Sequence, residues 1–172
     1  MTTENTFPTR DQVKVETTWD LSQIFEDEAT FEAKLAEFKD LGQAFKENYE
    51  GKLSDASDIA NAVLAASDVQ VLGSQLMHYT FLAVEADRTN SQAALKLHKV
   101  SAASKNVQEA MLFFQNALLE KSATELQKVK AIAPETADYI AEVERQQAIY
   151  LGAKVEDVLF QFEQAHDQNY EV

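Results

Sequence analysis

The scarcity of proline and glycine is the feature that most constrains how this chain folds. Its 172 residues include two prolines, Pro8 and Pro134, and four glycines, Gly42, Gly51, Gly73 and Gly152. Proline and glycine end helices and occur in turns. Their scarcity therefore favours long helices over a sheet with many turns. Alanine, leucine, glutamate, lysine and glutamine are abundant, and all are strong helix formers. We therefore predict an all-α fold, an antiparallel helical bundle with long helices and a short N-terminal extended segment.

Length and composition predict a single domain. A chain of 172 residues, 45% of them hydrophobic, buries a core without disulfides or metal ions. We expect residues 1–172 to form one helical domain, with 1–18 as the extended N-terminal segment and 19–172 as the bundle. The chain has no cysteine, which excludes disulfides, thiolate ligands and a cysteine nucleophile and suits a cytoplasmic location.

Capping residues and apolar periodicity place the helices of the first half. Asp20 or Ser22 is expected to cap one turn, and Asp27 is the predicted N-cap of a helix over 28–47. The apolar face of that helix repeats at three- and four-residue steps, through Phe31, Leu35, Phe38, Leu41 and Phe45. Gly51 is free to take a positive φ in the turn that follows.

Two further helices are predicted before the middle of the chain. Ser54 or Ser57 is expected to begin the first, with apolar residues at Ile59, Val63 and Leu64. The pair Ser67-Asp68 marks a predicted break or kink. Helical periodicity resumes over 69–87, with Leu72, Leu76, Tyr79 and Ala83 on one face.

The second half of the sequence is predicted to form helices joined by short connections. The longest helix is predicted over 91–120, with apolar positions at Leu95, Ala102, Met111, Phe114 and Leu118. Its short link to the helix over 69–87 indicates antiparallel packing. Ser122 and Glu125 fit a capping box, and Pro134 is expected to end that helix before another runs to about Ala148. A last helix is predicted over 153–166.

The acidic balance excludes several classes of partner. Twenty-nine acidic against 15 basic residues give a formal charge of −14, which argues against nucleic acid and anionic membrane surfaces. No apolar stretch is long enough to span a bilayer, and the first residues lack the basic and apolar regions of a secretory signal. The charge is interpreted either as an aid to solubility or as an attraction for cationic peptides.

The histidines show no catalytic spacing. Zinc peptidases need two histidines at i and i+4 beside a glutamate, and none of His78, His98 and His166 has such a partner. Glu163 and His166 form a single Glu-x-x-His match, whereas di-iron bundles need two. No nucleophile elbow or glycine-rich phosphate loop occurs. We assign no catalytic residue, no metal ligand and no cofactor to this chain, and its substrate-binding residues are unknown.

Three spaced motifs carry a resemblance to a known family. They are Trp19-Asp20-Leu21 with Phe25, the run Tyr49-Glu50-Gly51-Lys52-Leu53, and Tyr79 followed by Asp87 and Asn90. In this order they resemble the N-terminal region of the oligoendopeptidase F family, zinc metallopeptidases that cut short peptides. Farther on, Arg145, Leu151, Val155, Glu156 and Leu159 fit the family pattern, with Ile149 where the family has a histidine and Gly152 where it has a serine.

The resemblance implies a helical, non-catalytic N-terminal lobe that helps to wall the channel admitting short peptides. Zinc and the His-Glu-x-x-His pair would belong to a catalytic lobe of the same polypeptide, and short peptides would be the substrates of the parent protein. The alternative is a free-standing helical interaction module. A lobe separated from its partner is expected to expose apolar residues around Phe113, Phe160 or Phe162, whereas a free domain hides them.

The matched residues also have structural interpretations. Trp19 is expected to anchor the N-terminal segment in the core, and Tyr49 to Leu53 to form a turn at the end of a helix. Tyr79 is expected either to be buried on its helix or to face a substrate channel. Asp87 and Asn90 suit turn and capping roles.

Overall fold

A computed structural model describes residues 12–150, 155 and 158–162, and in this part of the chain all regular structure is helical. Five α-helices have both ends within the described residues: α1 (Glu28–Tyr49), α2 (Ala56–Ala86), α3 (Ser91–Leu119), α4 (Ala123–Ile132) and α5 (Ala137–Gln147). Residues 155 and 158–162, within the predicted last helix, are also helical. Shorter 3-10 turns occupy Val15–Thr17, Leu21–Gln23 and Pro134–Thr136. The predicted all-α bundle with long helices is therefore confirmed. None of the described helices is long and apolar enough to cross a membrane.

The helices are distributed over two compact units. Unit 1 combines the described part of residues 1–40 with residues 70–107, and unit 2 combines residues 41–69 with the described part of 108–172. Each of α1, α2 and α3 contributes one segment to each unit.

Unit 1 contains an up-down-up arrangement of three helical segments. The Phe31 ring of α1 stacks on Tyr79 of α2, and Phe38 of α1 contacts Gly73 of α2, so the two helices run antiparallel. Ion pairs join Glu28 to Lys96 and Glu32 to Lys99, which places α3 parallel to α1. The buried side chains of this unit include Phe25, Phe31, Leu35, Phe38, Leu72, Leu76, Val100 and Val107. The one fully buried hydroxyl among them, Thr80 Oγ1, donates to the Leu76 carbonyl at 2.9 Å.

Unit 2 is built around a second apolar core. Phe45 from α1 packs edge-on against Phe114 from α3, with ring centroids 5.2 Å apart. α4 and α5 close over this pair, because their buried side chains belong to the same cluster. The cluster includes Ile59, Val63, Ala66, Leu118, Leu126, Val129, Ile140 and Val143. Lys130 and Glu144 form an ion pair of 2.8 Å between α4 and α5.

The helix starts follow local capping chemistry. Asp27 Oδ1 accepts a hydrogen bond from the Thr30 amide at 2.7 Å, which confirms the predicted cap of α1. Ser54 and Ser57 were the expected caps of α2, but Asp55 takes this role and accepts from the amides of Ser57 and Asp58. The Asp55 carboxylate, directly before the first helical residue Ala56, outcompetes a serine hydroxyl because it accepts two amides and carries the charge that favours a helix N-terminus.

Four other sequence-based predictions need correction. α2 continues through Ser67-Asp68 without a break, because both residues are exposed while Ala66 and Val69 beside them are buried. Trp19 is 62% exposed and does not lie in a core. Leu95 and Ala102 of α3 are also exposed, since Ala93, Val100 and Ala103 form the buried face. Val15–Thr17, whose alternation with polar residues suggested extended structure, forms a 3-10 turn.

The predicted capping box at the start of α4 is confirmed and yields a pH-dependent expectation. Ser122 Oγ accepts from the Glu125 amide, while Glu125 Oε2 accepts from the Ser122 amide at 3.0 Å and its hydroxyl at 2.7 Å. The Ser122 hydroxyl is the main reason why the pKa of Glu125 lies below its ordinary value of 4.5. A carboxylate with a lowered pKa in the folded state stabilises the fold above that ordinary value and loses this contribution as the pH falls.

We therefore expect Glu125→Gln to lower the free energy of unfolding at pH 7 and to have a vanishing effect in acid, once the wild-type carboxyl is protonated. Urea unfolding at a series of pH values measures this difference. Glu109→Gln is the matched control, because it removes the same charge from an exposed position of α3. A Glu125→Gln effect that persists unchanged at a pH low enough to protonate the Glu125 carboxyl in the folded protein would contradict the role of the ionised cap.

Candidate functional site

The first family-like motif folds back onto α2 in unit 1. Asp20 Oδ1 accepts from the Ser22 amide and hydroxyl, and this closes the 3-10 turn Leu21–Gln23 as predicted. The Ser22 hydroxyl is the main cause of a lowered Asp20 pKa, so the cap is ionised at neutral pH. Phe25 then enters the core and lies edge-on to Tyr79, with ring centroids 5.2 Å apart. Residues from two separate motifs thus meet in one aromatic cluster.

Tyr79 lies between two phenylalanine rings. It stacks on Phe31 at a centroid distance of 5.3 Å and is half-buried. Lys96 Nζ lies over the Phe31 ring, 5.6 Å from its centroid. The half-buried, ring-packed position agrees with the structural interpretation of Tyr79 as part of a helix face.

An open groove of about 540 Å³ lies beside this cluster. One wall is the end of the capped turn, with Gln23 and Ile24, and the other is a single face of α2. The α2 residues recur at helical spacing, so their side chains lie in line along the groove: Gln70, Val71, Ser74, Gln75 and His78. Among the described residues, His78 is the one acidic or basic side chain that lines it.

His78 has a fixed ring orientation in this groove. Its Nδ1 lies 2.7 Å from the Ser74 carbonyl oxygen, which only accepts hydrogen bonds. Nδ1 therefore carries the proton of the neutral ring, and Nε2 is left as an acceptor. On the other wall, Gln23 Nε2 donates to Asp20 Oδ2 at 3.2 Å, so the capped turn also orients a groove side chain.

The second family-like motif forms the turn after α1 in unit 2. Gly51 has a φ of +70°, the left-handed conformation predicted for it. Lys52 Nζ donates to the Glu47 carbonyl, and Lys121 Nζ donates to the Leu53 carbonyl at 2.9 Å. A smaller hollow of about 430 Å³ lies next to the turn, between Leu53, Phe113, Glu120 and Lys121. The motif thus has a C-capping and turn role.

The third motif forms the link between α2 and α3. Asp87 Oδ1 accepts from the amide and hydroxyl of Thr89, and Asn90 Oδ1 accepts from the amides of Gln92 and Ala93. Both residues therefore have the predicted turn and capping roles.

Known proteins offer no match to this chain. No family model, no curated protein and no solved structure matches its sequence or its fold.

Potential metal ligands are dispersed in the described residues. His78 and His98 are both exposed on separate helices, and no group of three His, Cys, Asp or Glu side chains converges there. Glu163 and His166, the single Glu-x-x-His match, lie outside the described residues, as do Leu151, Gly152 and Glu156 of the fourth family-like segment.

The exposure of the three aromatic residues singled out near the end of the chain differs. Phe162 is 75% exposed, whereas Phe113 and Phe160 are half-buried. Phe162 continues a row of exposed apolar residues at three- and four-residue spacing, formed by Val155, Val158 and Leu159.

Sequence reasoning did not find the groove. The signal that could have shown it is the row Gln70, Val71, Ser74, Gln75 and His78, uncharged and on one face of a helix in a strongly acidic chain. Helical periodicity indicates apolar faces, and an uncharged polar face gives no comparable signal.

Proposed function

We propose that the chain is the N-terminal, non-catalytic lobe of a zinc-dependent oligoendopeptidase, a metalloendopeptidase that hydrolyses short peptides, and that it helps to wall the substrate channel. The contact between Phe25 and Tyr79 carries the proposal, because it joins residues from two of the three family-like motifs at 5.2 Å. Motifs that are distant in sequence but adjacent in the fold support a shared architecture more strongly than matches scattered over the surface. Of the remaining motif residues, Asp20, Gly51, Asp87 and Asn90 cap helices or shape turns, as expected of a scaffold.

The lobe's contribution to catalysis would be gating. Zinc, the general base and the peptide-cleaving chemistry would be supplied by a catalytic lobe of the same cytoplasmic polypeptide, and the helical lobe would restrict entry to short peptides. Neither nucleic acid nor a membrane is a partner in this proposal, given the formal charge of −14. The exposed row that includes Phe162 supports an apolar contact with a further domain.

The alternative is a free-standing helical interaction module without enzymatic activity. The half-buried state of Phe113 favours it, because this ring packs on Phe45 within unit 2, at a centroid distance of 5.9 Å. A separated lobe was expected to expose apolar residues around Phe113, Phe160 or Phe162, and of these Phe162 is exposed.

Intact-mass spectrometry of the native product in its source cell, with peptides of this chain as the identifier, tests the proposal. We expect a product far larger than the 19.2 kDa of this chain, with a His-Glu-x-x-His motif in the additional sequence. The purified 172-residue chain should neither hydrolyse peptides nor hold stoichiometric zinc, whereas the native product should do both. A native product near 19.2 kDa would favour the interaction module instead.

A further inference from the structure

The acidic charge of the chain is unevenly distributed along its sequence. Residues 70–107 include two acidic and four basic residues, so this segment carries a formal charge of +2. The whole chain carries −14, and the residues outside this segment therefore carry −16. The segment belongs to unit 1 and consists of the end of α2, the turn Asp87–Asn90 and the start of α3. We call it the α2–α3 hairpin, because its two helical parts run antiparallel.

Most basic side chains of the hairpin are paired within unit 1. Ion pairs join Lys96 and Lys99 of α3 to acidic residues of α1, and Arg88 in the turn pairs with an acidic residue at the end of α2. Over residues 70–84 and 91–104, every exposed side chain other than that of Lys99 is uncharged. We call these exposed side chains the outer face of the hairpin. This face is therefore electrically neutral in a strongly acidic chain.

Three large apolar side chains lie on the outer face of the hairpin. Val71, Phe81 and Leu95 are each about half exposed. Phe81 is six residues before the turn Asp87–Asn90 and Leu95 is five residues after it, so these two side chains lie at the same level of the hairpin. Exposed apolar residues on a face that lacks charge are typical of a protein–protein contact.

We propose that the outer face of the α2–α3 hairpin binds the same face of a second copy of this chain. Two copies with a formal charge of −14 each repel one another. Contact through the hairpin is the least unfavourable, because its outer face brings no acidic side chain into the interface. A two-fold axis then brings Phe81 and Leu95 of one copy against the apolar residues of the other, within a contact of four helical segments.

The size of the outer face fits a weak dimer. The two helical parts of the hairpin, residues 70–86 and 91–107, each span about 25 Å at about 1.5 Å per residue, and two neighbouring helices are together about 20 Å wide. The contact therefore covers about 500 Å² on each copy and about 1,000 Å² in total. This total lies near the lower limit of specific interfaces, so we expect a dissociation constant on the order of 10 µM.

An acidic partner protein fits the outer face less well than a second copy does. Three of the four basic residues of the hairpin already pair with acidic side chains of unit 1, and the fourth, Lys105, is half-buried. The face therefore offers little positive charge with which to select an acidic partner. A second copy instead supplies a neutral, partly apolar face. The proposal goes beyond the peptidase proposal and requires no catalytic lobe, since every group involved belongs to unit 1.

Sedimentation equilibrium of the 172-residue chain tests the proposal, at protein concentrations from about 1 µM to about 500 µM. We expect the mass to rise with concentration from the 19.2 kDa of one chain to the mass of two. Added salt should strengthen the dimer, because it screens the repulsion between two acidic chains. Phe81→Glu and Leu95→Glu should each raise the dissociation constant about tenfold or more, because each places two carboxylates in the contact.

Ile132→Glu is the matched control, because Ile132 is an apolar residue of similar exposure on α4 in unit 2. It adds the same charge and should leave the dissociation constant unchanged. All three variants should keep the wild-type circular dichroism, because the substituted side chains are exposed.

The proposal is overturned if the mass stays at 19.2 kDa at the highest concentration, which would leave the face to a different kind of partner. Weakening of the association by salt would also overturn it, because that result indicates ion pairs between the copies. The same holds for a mass beyond two chains, since a two-fold contact closes, and for an equal effect of Ile132→Glu and Phe81→Glu. None of these outcomes bears on the peptidase proposal, which the mass of the native product tests separately.

Discussion

Phe114→Ala should lower the free energy of unfolding by about 3–5 kcal/mol, the usual loss for removing a buried aromatic ring. Phe114 is 2% exposed and lies between Phe45 of α1 and Tyr139 of α5, at centroid distances of 5.2 and 6.3 Å. Alanine would leave a cavity bordered by helices from distant parts of the sequence, and rigid rings do not collapse into such a space. Urea unfolding followed by circular dichroism measures the loss.

Phe113→Ala is a closely matched comparison for this prediction. Phe113 is the adjacent residue of α3 and also contacts Phe45, but it is half-buried. Removing the Phe113 ring exposes less new apolar surface and leaves a space that water can enter. We therefore expect less than half of the loss in free energy of unfolding that Phe114→Ala causes. Equal losses for the two variants would show that the core of unit 2 is not centred on Phe114.

Gly73→Leu should overpack the core of unit 1 and destabilise the fold. A β-carbon built on Gly73 would lie 2.9 Å from Cε2 and 3.1 Å from Cζ of Phe38, closer than ordinary contact distances. Leucine is a far better helix former than glycine, so any loss of stability must come from overpacking. We expect the free energy of unfolding to fall by about 1–3 kcal/mol, measured by thermal or urea unfolding.

Phe38→Ala supplies the rescue test for this clash. Alone it should destabilise the fold, because Phe38 is buried. The double variant Gly73→Leu/Phe38→Ala should lose less free energy of unfolding than the sum of the two single losses. The reason is that leucine then occupies the space of the missing ring. Ser67→Leu, at an exposed position of the same helix, should change stability little. Additive losses in the double variant would exclude the contact between Gly73 and Phe38 as the cause.

The local helix signals of this sequence were sufficient for most of the secondary structure. Asp27 and the Ser122–Glu125 pair were recognised as helix starts because a cap involves residues no more than three apart. Gly51 was recognised as the left-handed residue of its turn for the same reason. The predicted helix break at Ser67-Asp68 was wrong. Helix α2 continues through this locally poor helix segment because Ala66 and Val69, on either side of it, are buried.

The candidate sites could be predicted only in part. Because Asp87 and Asn90 bond to neighbours within three residues, their roles could be predicted from spacing alone. The groove depends on Gln23 and Ile24 lying beside α2, which no local pattern reveals. The family resemblance pointed to the segment that contains Gln23 and Ile24, but it did not assign a ligand to that segment.

By itself, the sequence determined that the chain is helical, where α1 and α3 begin, and that a charge of −14 disfavours polyanionic partners. These properties follow from local hydrogen bonding, helix propensity and net charge, none of which depends on distant contacts. The tertiary structure alone decided that Trp19 is exposed, that Phe25 meets Tyr79, and that uncharged side chains line a groove. Burial depends on which helix faces meet, and a periodic sequence specifies a face without specifying its partner.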